Sequence, residues 1–388
     1  MNNTRLHTLM LSVACIAALT FAQGSRTAQA AIPGCASNYS VDVTMTIGAR
    51  WEMCWDKDAQ RGLMLSQVTF TPKSGTRRLV LGAAALAQVY VAYDNGGTQQ
   101  HLLTEGGLAL APLSAAECPG GTLRQDAAGT STLCQKVQAR GYAWRGTAQV
   151  QGQSLVLFTV SNNGTDTFIH QWAFDDDGTI RPMLGVTGRL NPNQTSSAAT
   201  GWALGSGNSR YATHRFVTAY WRLNFDLDGS ANDAVDEFNY SGTGNTRTQT
   251  VTRFTTEQAR TIAPDAQRFW RVADKTNTNS NGGSHYVSYQ IVPHNTAVQR
   301  GSEAFTRNDV YVTNNAACEQ FASRNPTTGG CGAQATDFAN GQTLGNDLVI
   351  WLGNTWHHVP ADEDEPAMRT HWQGWVLMPR DFHPTSPL

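Results

Sequence analysis

Short apolar or alternating runs, each cut off by Gly, Asn, Asp or Ser, recur along nearly all of this 388-residue chain and constrain it to β structure. Such runs cover residues 68–72, 79–81, 89–93, 154–160, 168–174, 180–190, 215–226, 286–292, 310–313, 347–352 and 374–378. Asp177-Gly178 and Asp228-Gly229 are predicted hairpin turns, because Asp-Gly tolerates positive φ. Helical spacing is confined to two short candidates, 256–260 and 316–323. The Asn/Gly/Ser/Thr-rich stretches 191–209, 241–250 and 275–284 read as long loops rather than linkers, and no repeat is visible. The expected fold is all-β: a large antiparallel β-sandwich, one domain within residues 31–388.

Residues 1–30 lack Asp and Glu, place Arg5 before an apolar stretch over 9–22, and end in Ala28-Gln29-Ala30. That is the pattern of a secretory signal peptide cleaved before Ala31, so the mature protein is expected to be secreted or periplasmic. No later run approaches the ~18 apolar residues of a membrane span. Net charge is −2, or −4 once Arg5 and Arg26 are removed, which leaves no basic field for a nucleic-acid backbone. Of seven Cys, Cys15 lies in the signal. The other six fall into sequence-local pairs, Cys35–Cys54, Cys118–Cys134 and Cys318–Cys331, as disulfides in an oxidising compartment would. No CxxC spacing marks a zinc or redox site.

Candidate chemistry is sparse. His357, His358, His371 and His383 cluster near the C-terminus, and His214 opens a long strand. Imidazoles from separate strands can assemble a copper or zinc site, but adjacent His357 and His358 point to opposite faces of a strand. Asn224, Asp226 and Asp347 are oxygen donors near strand ends that suit a hard cation such as Ca²⁺ or ordinary turn capping. The acidic run 361–365 reads as a solvated loop. Trp351, Trp356, Trp372 and Trp375 are candidates for lining a ligand cavity or for core packing.

Three stretches together resemble one family. The first is Leu348-Val349-Ile350-Trp351, then His357-His358-Val359-Pro360-Ala361-Asp362-Glu363-Asp364-Glu365-Pro366-Ala367-Met368, then Gly374-Trp375-Val376-Leu377-Met378-Pro379 and Asp381-Phe382. The second is Arg222-Leu223-Asn224-Phe225-Asp226-Leu227-Asp228-Gly229. The third is Trp172-Ala173-Phe174-Asp175-Asp176-Asp177-Gly178-Thr179-Ile180, followed by Thr187-Gly188-Arg189-Leu190. In this order they are similar to the catalytic domain of the copper amine oxidases, quinone-dependent primary-amine oxidases, over roughly residues 45–384. The resemblance implies a β-supersandwich with a buried active site, commonly a homodimer, without the small N-terminal domains many members carry. Cys118 and Cys134 match the family's catalytic-domain disulfide.

Transferred one residue at a time, the family's machinery is incomplete. Counting back from Trp172 puts Asp166 where the family oxidises a Tyr to topaquinone, and no Tyr lies between Tyr142 and Tyr211. A carboxylate cannot become a quinone, so amine oxidation has no electron sink. The family's His-x-His maps to His214 and Phe216, and its third copper ligand to His358, with His357 or His371 left to complete a degenerate copper site. In the general-base segment Glu105 is the sole carboxylate. Asn224, Asp226, Asp347 and the Leu348 carbonyl match a peripheral calcium-type site. The leading reading is a secreted copper-amine-oxidase-like protein without topaquinone chemistry. It would bind a small-molecule ligand or carry a repurposed metal site. One alternative is an active copper-dependent primary-amine oxidase, turning amine, O₂ and water into aldehyde, ammonia and H₂O₂. Another is a quinone-free copper or zinc enzyme using His214 and His358, with Asp166 as acid, base or ligand.

Overall fold

The structure, a computed structural model, describes residues 34–97, 99–190, 198–208, 210–229, 232–282, 285–294 and 299–388. The expected signal peptide lies outside the described residues, as do 191–197 and 209 of the first expected loop and 283–284 of the third. Among the described residues no helix is long and apolar enough to cross a membrane.

Two antiparallel sheets make up nearly all the regular structure. The first runs in the order Ser40–Thr44, Arg50–Asp58, Gly62–Thr71, Arg78–Tyr93, Arg215–Phe225, Leu348–His358, Val310–Asn314, Gln258–Arg260, with Gln99–His101 paired to Arg78–Tyr93. The second runs Thr248–Arg253, Asp233–Ser241, Phe269–Thr278, Tyr286–Pro293, Met368–Arg380, Ile180–Gly188, Asp166–Asp175, Gln149–Asn163, Ser131–Arg145, Thr122–Gln125. Every strand-like run in the sequence falls on one of these strands, with 72, 189–190, 226 and 347 lying just beyond the strand ends. The runs at 79–81 and 89–93 are two parts of one sixteen-residue strand, Arg78–Tyr93.

Strands at the centre of the first sheet are buried on both faces, so they read as continuous apolar runs rather than as alternation. Between the sheets lie Trp51, Trp172, Trp221, Trp270 and Trp375, all fully buried. The Trp51 indole N–H donates to the Asp175 carbonyl of the other sheet at 2.8 Å. On the far face of the first sheet a second cluster packs Tyr90, Tyr220, Phe305, Tyr311, Phe338 and Trp351. Gly353 is required there: a Cβ would come within 2.3 Å of the Tyr220 ring. All three expected disulfides form, Cys35–Cys54, Cys118–Cys134 and Cys318–Cys331.

Several local expectations are corrected. Asp177-Gly178 does turn a hairpin between Asp166–Asp175 and Ile180–Gly188. Asp228-Gly229 does not: it carries the chain from the first sheet into the second, with φ of 59° and 84° at its two residues. The dipeptide supplies the left-handed backbone, but pairing is decided by where Asp226 and Asp233 dock, on the Val80 and Asn346 carbonyls. Residues 258–260 of the first expected helix form an edge strand on Val310–Asn314. Residues 316–323 are irregular, held by the Cys318–Cys331 bridge and by Asn325, whose side chain bonds five backbone groups around it. The short helix is Ala335–Phe338. Trp351, Trp356, Trp372 and Trp375 all lie in strands, and of the two roles open to them Trp351 and Trp375 take core packing.

Burial also fixes the charge of several imidazoles. His170 accepts the Trp172 indole N–H on Nε2 at 3.1 Å, and its Nδ1 has no partner. Burial lowers its pKa from 6.5 to about 3. Burial also lowers His371 and His383 to about 4. The unfolded chain binds these protons at higher pH than the folded one, so their contribution is complete above pH 6.5 and is lost as pH falls toward 4. Denaturant unfolding at pH 7 and pH 4 should show that His170→Leu removes about 3 kcal/mol of the wild-type loss between those pH values. An unchanged difference would mean His170 is protonated in the folded state.

Candidate functional site

The strand Arg215–Phe225 pairs with Arg78–Tyr93 on one side and Leu348–His358 on the other. Arg215 is registered with both Tyr93 and His358, and Phe216 with both Ala92 and His357. Directly paired residues share a face, and successive residues alternate. Tyr93, Arg215 and His358 therefore share the inner face, while Phe216 and His357 share the outer one.

On the inner face the strand Asp166–Asp175 of the second sheet brings Asp166 against Arg215. Arg215 Nη1 donates to Asp166 Oδ2 at 2.7 Å, with both side chains buried. Burial works against the guanidinium charge, but Asp166 outweighs it and holds the Arg215 pKa above its ordinary value. The same nitrogen reaches Tyr93 Oη at 3.4 Å, and Nη2 lies 3.6 Å from Met368 Sδ. Asp166 Oδ1 and Arg215 Nε are buried without partners. Tyr93 is a tyrosine on this face, but the Arg215 strand stands between it and the His358 strand. Sequence reasoning located Asp166 and missed Arg215; the available signal was an arginine one residue from His214, on the opposite face of the strand.

His358 is buried beside this pair. Its Nε2 lies 3.0 Å from Asp364 Oδ2, which also accepts the Ala361 N–H at 2.8 Å, and Nδ1 has no partner. Burial, and then Arg215, push its pKa below the ordinary value despite Asp364. The run 361–365 is thus more than a solvated loop, since Asp364 orients a histidine. Trp356 lies between His358 and His371, with ring centroids at 4.7 and 4.0 Å, and the His371 ring is stacked at 10°. These residues, with His357, Arg369 and Thr370, line a cleft of about 450 Å³.

The expected copper set is not brought together. His214 joins His357 on the outer face, and Phe216 stacks on the His357 ring at 4.3 Å. Positions 215 and 217 are the ones that share His358's face, and they hold Arg and Val. Among the described residues, the one group of three ligand-type side chains within 4.8 Å of one another is Asp94, His214 and His357. Asp94 follows the strand Arg78–Tyr93, and nothing in its sequence context marks it as a ligand.

The peripheral oxygen donors do converge. The Asn224 amide lies 3.0 Å from both the Leu348 carbonyl and Asp347 Oδ1. Turned nitrogen-first it donates to both; turned oxygen-first it completes an oxygen cradle with Asp226 alongside. Burial and Asp347 raise Asp226 to about 6. Fully buried Asp233 is raised to about 9 by burial, Asp226 and Asp274.

Glu105 lies apart from these groups: it accepts the His101 backbone N–H at 2.8 Å and pairs with Arg324. Close by is an alignment the sequence did not reveal. His101 Nδ1 lies 2.7 Å from Ser323 Oγ and Nε2 lies 3.1 Å from Glu303 Oε1. Ser323 is 2% exposed and also accepts the Gln88 side-chain N–H, so the hydroxyl is enclosed and the arrangement is a structural clamp.

Comparison with known proteins gives these geometries a setting. A family model described as "Copper amine oxidase, enzyme domain" matches residues 135–388. The histamine oxidase of Arthrobacter globiformis is 25% identical over 389 residues, covering 87% of this chain and 56% of that protein. The primary amine oxidase of Klebsiella aerogenes is 22% identical over 413 residues, covering 90% of this chain and 54% of that protein. Among solved structures, Aspergillus nidulans amine oxidase superposes with a TM-score of 0.73 at 16% identity, over 98% of this chain and 56% of that one. The copper-containing benzylamine oxidase from Hansenula polymorpha gives a TM-score of 0.72 at 17% identity, over 89% of this chain and 61% of that one. The chain spans little more than half the length of the curated relatives it matches. With the family model covering well over half of its residues, the chain belongs to the copper amine oxidase family.

Proposed function

We propose that this protein keeps the copper amine oxidase fold without quinone chemistry and binds a small polar molecule in the cleft beside His358. The observation that supports this most directly is the buried Arg215–Asp166 pair on the inner face. A cation already occupies the space between Asp166 and His358. Asp166 has no ring to oxidise, and neither Arg215 nor Val217 supplies an imidazole. The residues present therefore do not fit copper held by three histidines, nor topaquinone. Trp356, uncharged His371 and Arg369 instead line the cleft with a flat apolar surface, a neutral hydrogen-bonding edge and a cation. Export to an oxidising compartment is part of this reading, supported by three disulfides. So is a homodimer, which light scattering would test.

The reading has a direct chemical test. Protein matured with excess copper should give no quinone stain, no visible quinone band, and no peroxide with a panel of primary amines. Peroxide release that tracks a quinone band would overturn it. The ion pair makes a second prediction. Arg215→Met alone strands the Asp166 charge and should cost about 3–5 kcal/mol in denaturant unfolding. Adding Asp166→Leu should recover a large part of that loss, because the double variant buries no charge. Strictly additive losses would show that the two side chains are not coupled.

The peripheral oxygen donors support a calcium site with a structural role. Calcium at millimolar concentration should raise Tm by about 5 °C, because it binds only the folded state and relieves repulsion among Asp226, Asp233 and Asp347. Asp347→Asn should abolish that shift, and a shift that survives would place the ion elsewhere.

A further inference from the structure

We propose that Asp94, His214 and His357 form a divalent transition-metal site on the outer face of the first sheet, distinct from the inner group around His358. The three side chains come from three neighbouring stretches of backbone. His357 is on Leu348–His358, His214 immediately precedes Arg215–Phe225, and Asp94 immediately follows Arg78–Tyr93. Backbone hydrogen bonds fix their relative height: the Asp94 N–H donates to the His214 carbonyl at 3.0 Å, and the His214 N–H to the Thr200 carbonyl at 3.2 Å. Phe216 stacks under the His357 ring at 4.3 Å and sets its plane, and the His214 ring stands edge-on to it at 89°.

Both imidazoles present a nitrogen to the same carboxylate oxygen. His214 Nδ1, the nitrogen turned toward Asp94, lies 3.7 Å from its Oδ2, beyond hydrogen-bonding range. His357 Nε2 lies 2.9 Å from the same carboxylate oxygen. Two imidazole nitrogens thus converge on one carboxylate oxygen. A single proton satisfies the His357 contact and leaves His214 unpaired. A cation drawn among the three would engage all of them at once, since their ligand atoms lie within 4.8 Å of one another.

Two nitrogens and one oxygen, with no thiolate, make a donor set for a borderline divalent ion such as Zn²⁺ or Cu²⁺. The three side chains are each 22–25% exposed, so water has access to a fourth position, as in three-ligand sites that keep one coordination place open. Strand alternation separates this site from the inner face: His358 points away from it, and Phe216 forms its floor.

Metal-stripped full-length protein, held in 5 mM CaCl₂ to fill the peripheral oxygen cradle, is titrated calorimetrically at pH 7.5 with ZnCl₂ and, separately, with CuCl₂. At least one metal should bind at one ion per chain. His214→Ala, His357→Ala and Asp94→Asn should each weaken binding by at least about tenfold. His358→Ala and Asp226→Asn should leave it unchanged. Circular dichroism and Tm of the apo proteins separate loss of the site from loss of the fold, and His357→Gln provides a milder probe of the same ligand. Binding by neither metal, binding indifferent to His357, or binding lost with His358 would each overturn the proposal. The His358 result also separates this site from the reading of the inner cleft.

Discussion

A guanidinium and a carboxylate, both withdrawn from water, tie the two sheets together. Neither charge is stable there alone, because the desolvation of an isolated ion exceeds what the surroundings return. The Arg215–Asp166 pair is therefore a constraint on everything near it. Its positive end disfavours a second cation, which helps keep neighbouring His358 neutral. Asp364 faces His358 from the opposite direction and fixes which nitrogen it presents. Asp166 Oδ1 and Arg215 Nε remain without partners in the protein. A buried polar pair left partly unsatisfied costs stability, so the packing around it must be strong enough to hold it. The five buried tryptophans between the sheets supply much of that packing.

The period of two along an antiparallel strand accounts for the rest of the site's layout. A one-residue offset moves every side chain to the other face. His214 and Arg215 are adjacent, as are His357 and His358, and the register pairs Arg215 with His358. The arginine and one histidine face the protein interior, and the two remaining histidines face outward. Two adjacent pairs far apart in the chain, 214–215 and 357–358, thus divide into an inner pair, Arg215 and His358, and an outer pair, His214 and His357, that carries donors for a metal. The division follows from backbone geometry rather than from any property of imidazole.

This also explains which parts of the molecule were legible in the sequence. Strand existence was legible, because alternating and apolar runs bounded by turn residues carry it directly. So was the pairing of cysteines separated by 13 to 19 residues, since short loops leave few other partners. Asp166 was found by counting from Trp172 along an uninterrupted strand, where spacing cannot slip. The parity of His214 against His358 was not legible, because it depends on the register between strands far apart in the chain. Asp228-Gly229 failed for a related reason: a tolerance for positive φ announces a turn but not which sheet receives the next strand. The expected helix at 316–323 failed because a disulfide and one fully engaged asparagine, Asn325, outweigh weak helical spacing.

The oxygen-rich edge shows why fold and chemistry can part company in such a molecule. Asn224 and the Leu348 carbonyl come from two adjacent strands of the first sheet, Asp226 and Asp347 flank the ends of those strands, and Asp233 and Asp274 come from the second sheet. With no cation present, carboxylates there repel one another, which is why burial and mutual repulsion hold Asp226 and Asp233 toward their protonated forms. A hard cation needs oxygen donors and little directional precision. Quinone chemistry needs one specific ring and three imidazoles on a single face. The first requirement is met by oxygen donors of many residue types, and the second by one residue type at each position. A chain can therefore keep the sandwich intact while its interior is filled by an ion pair.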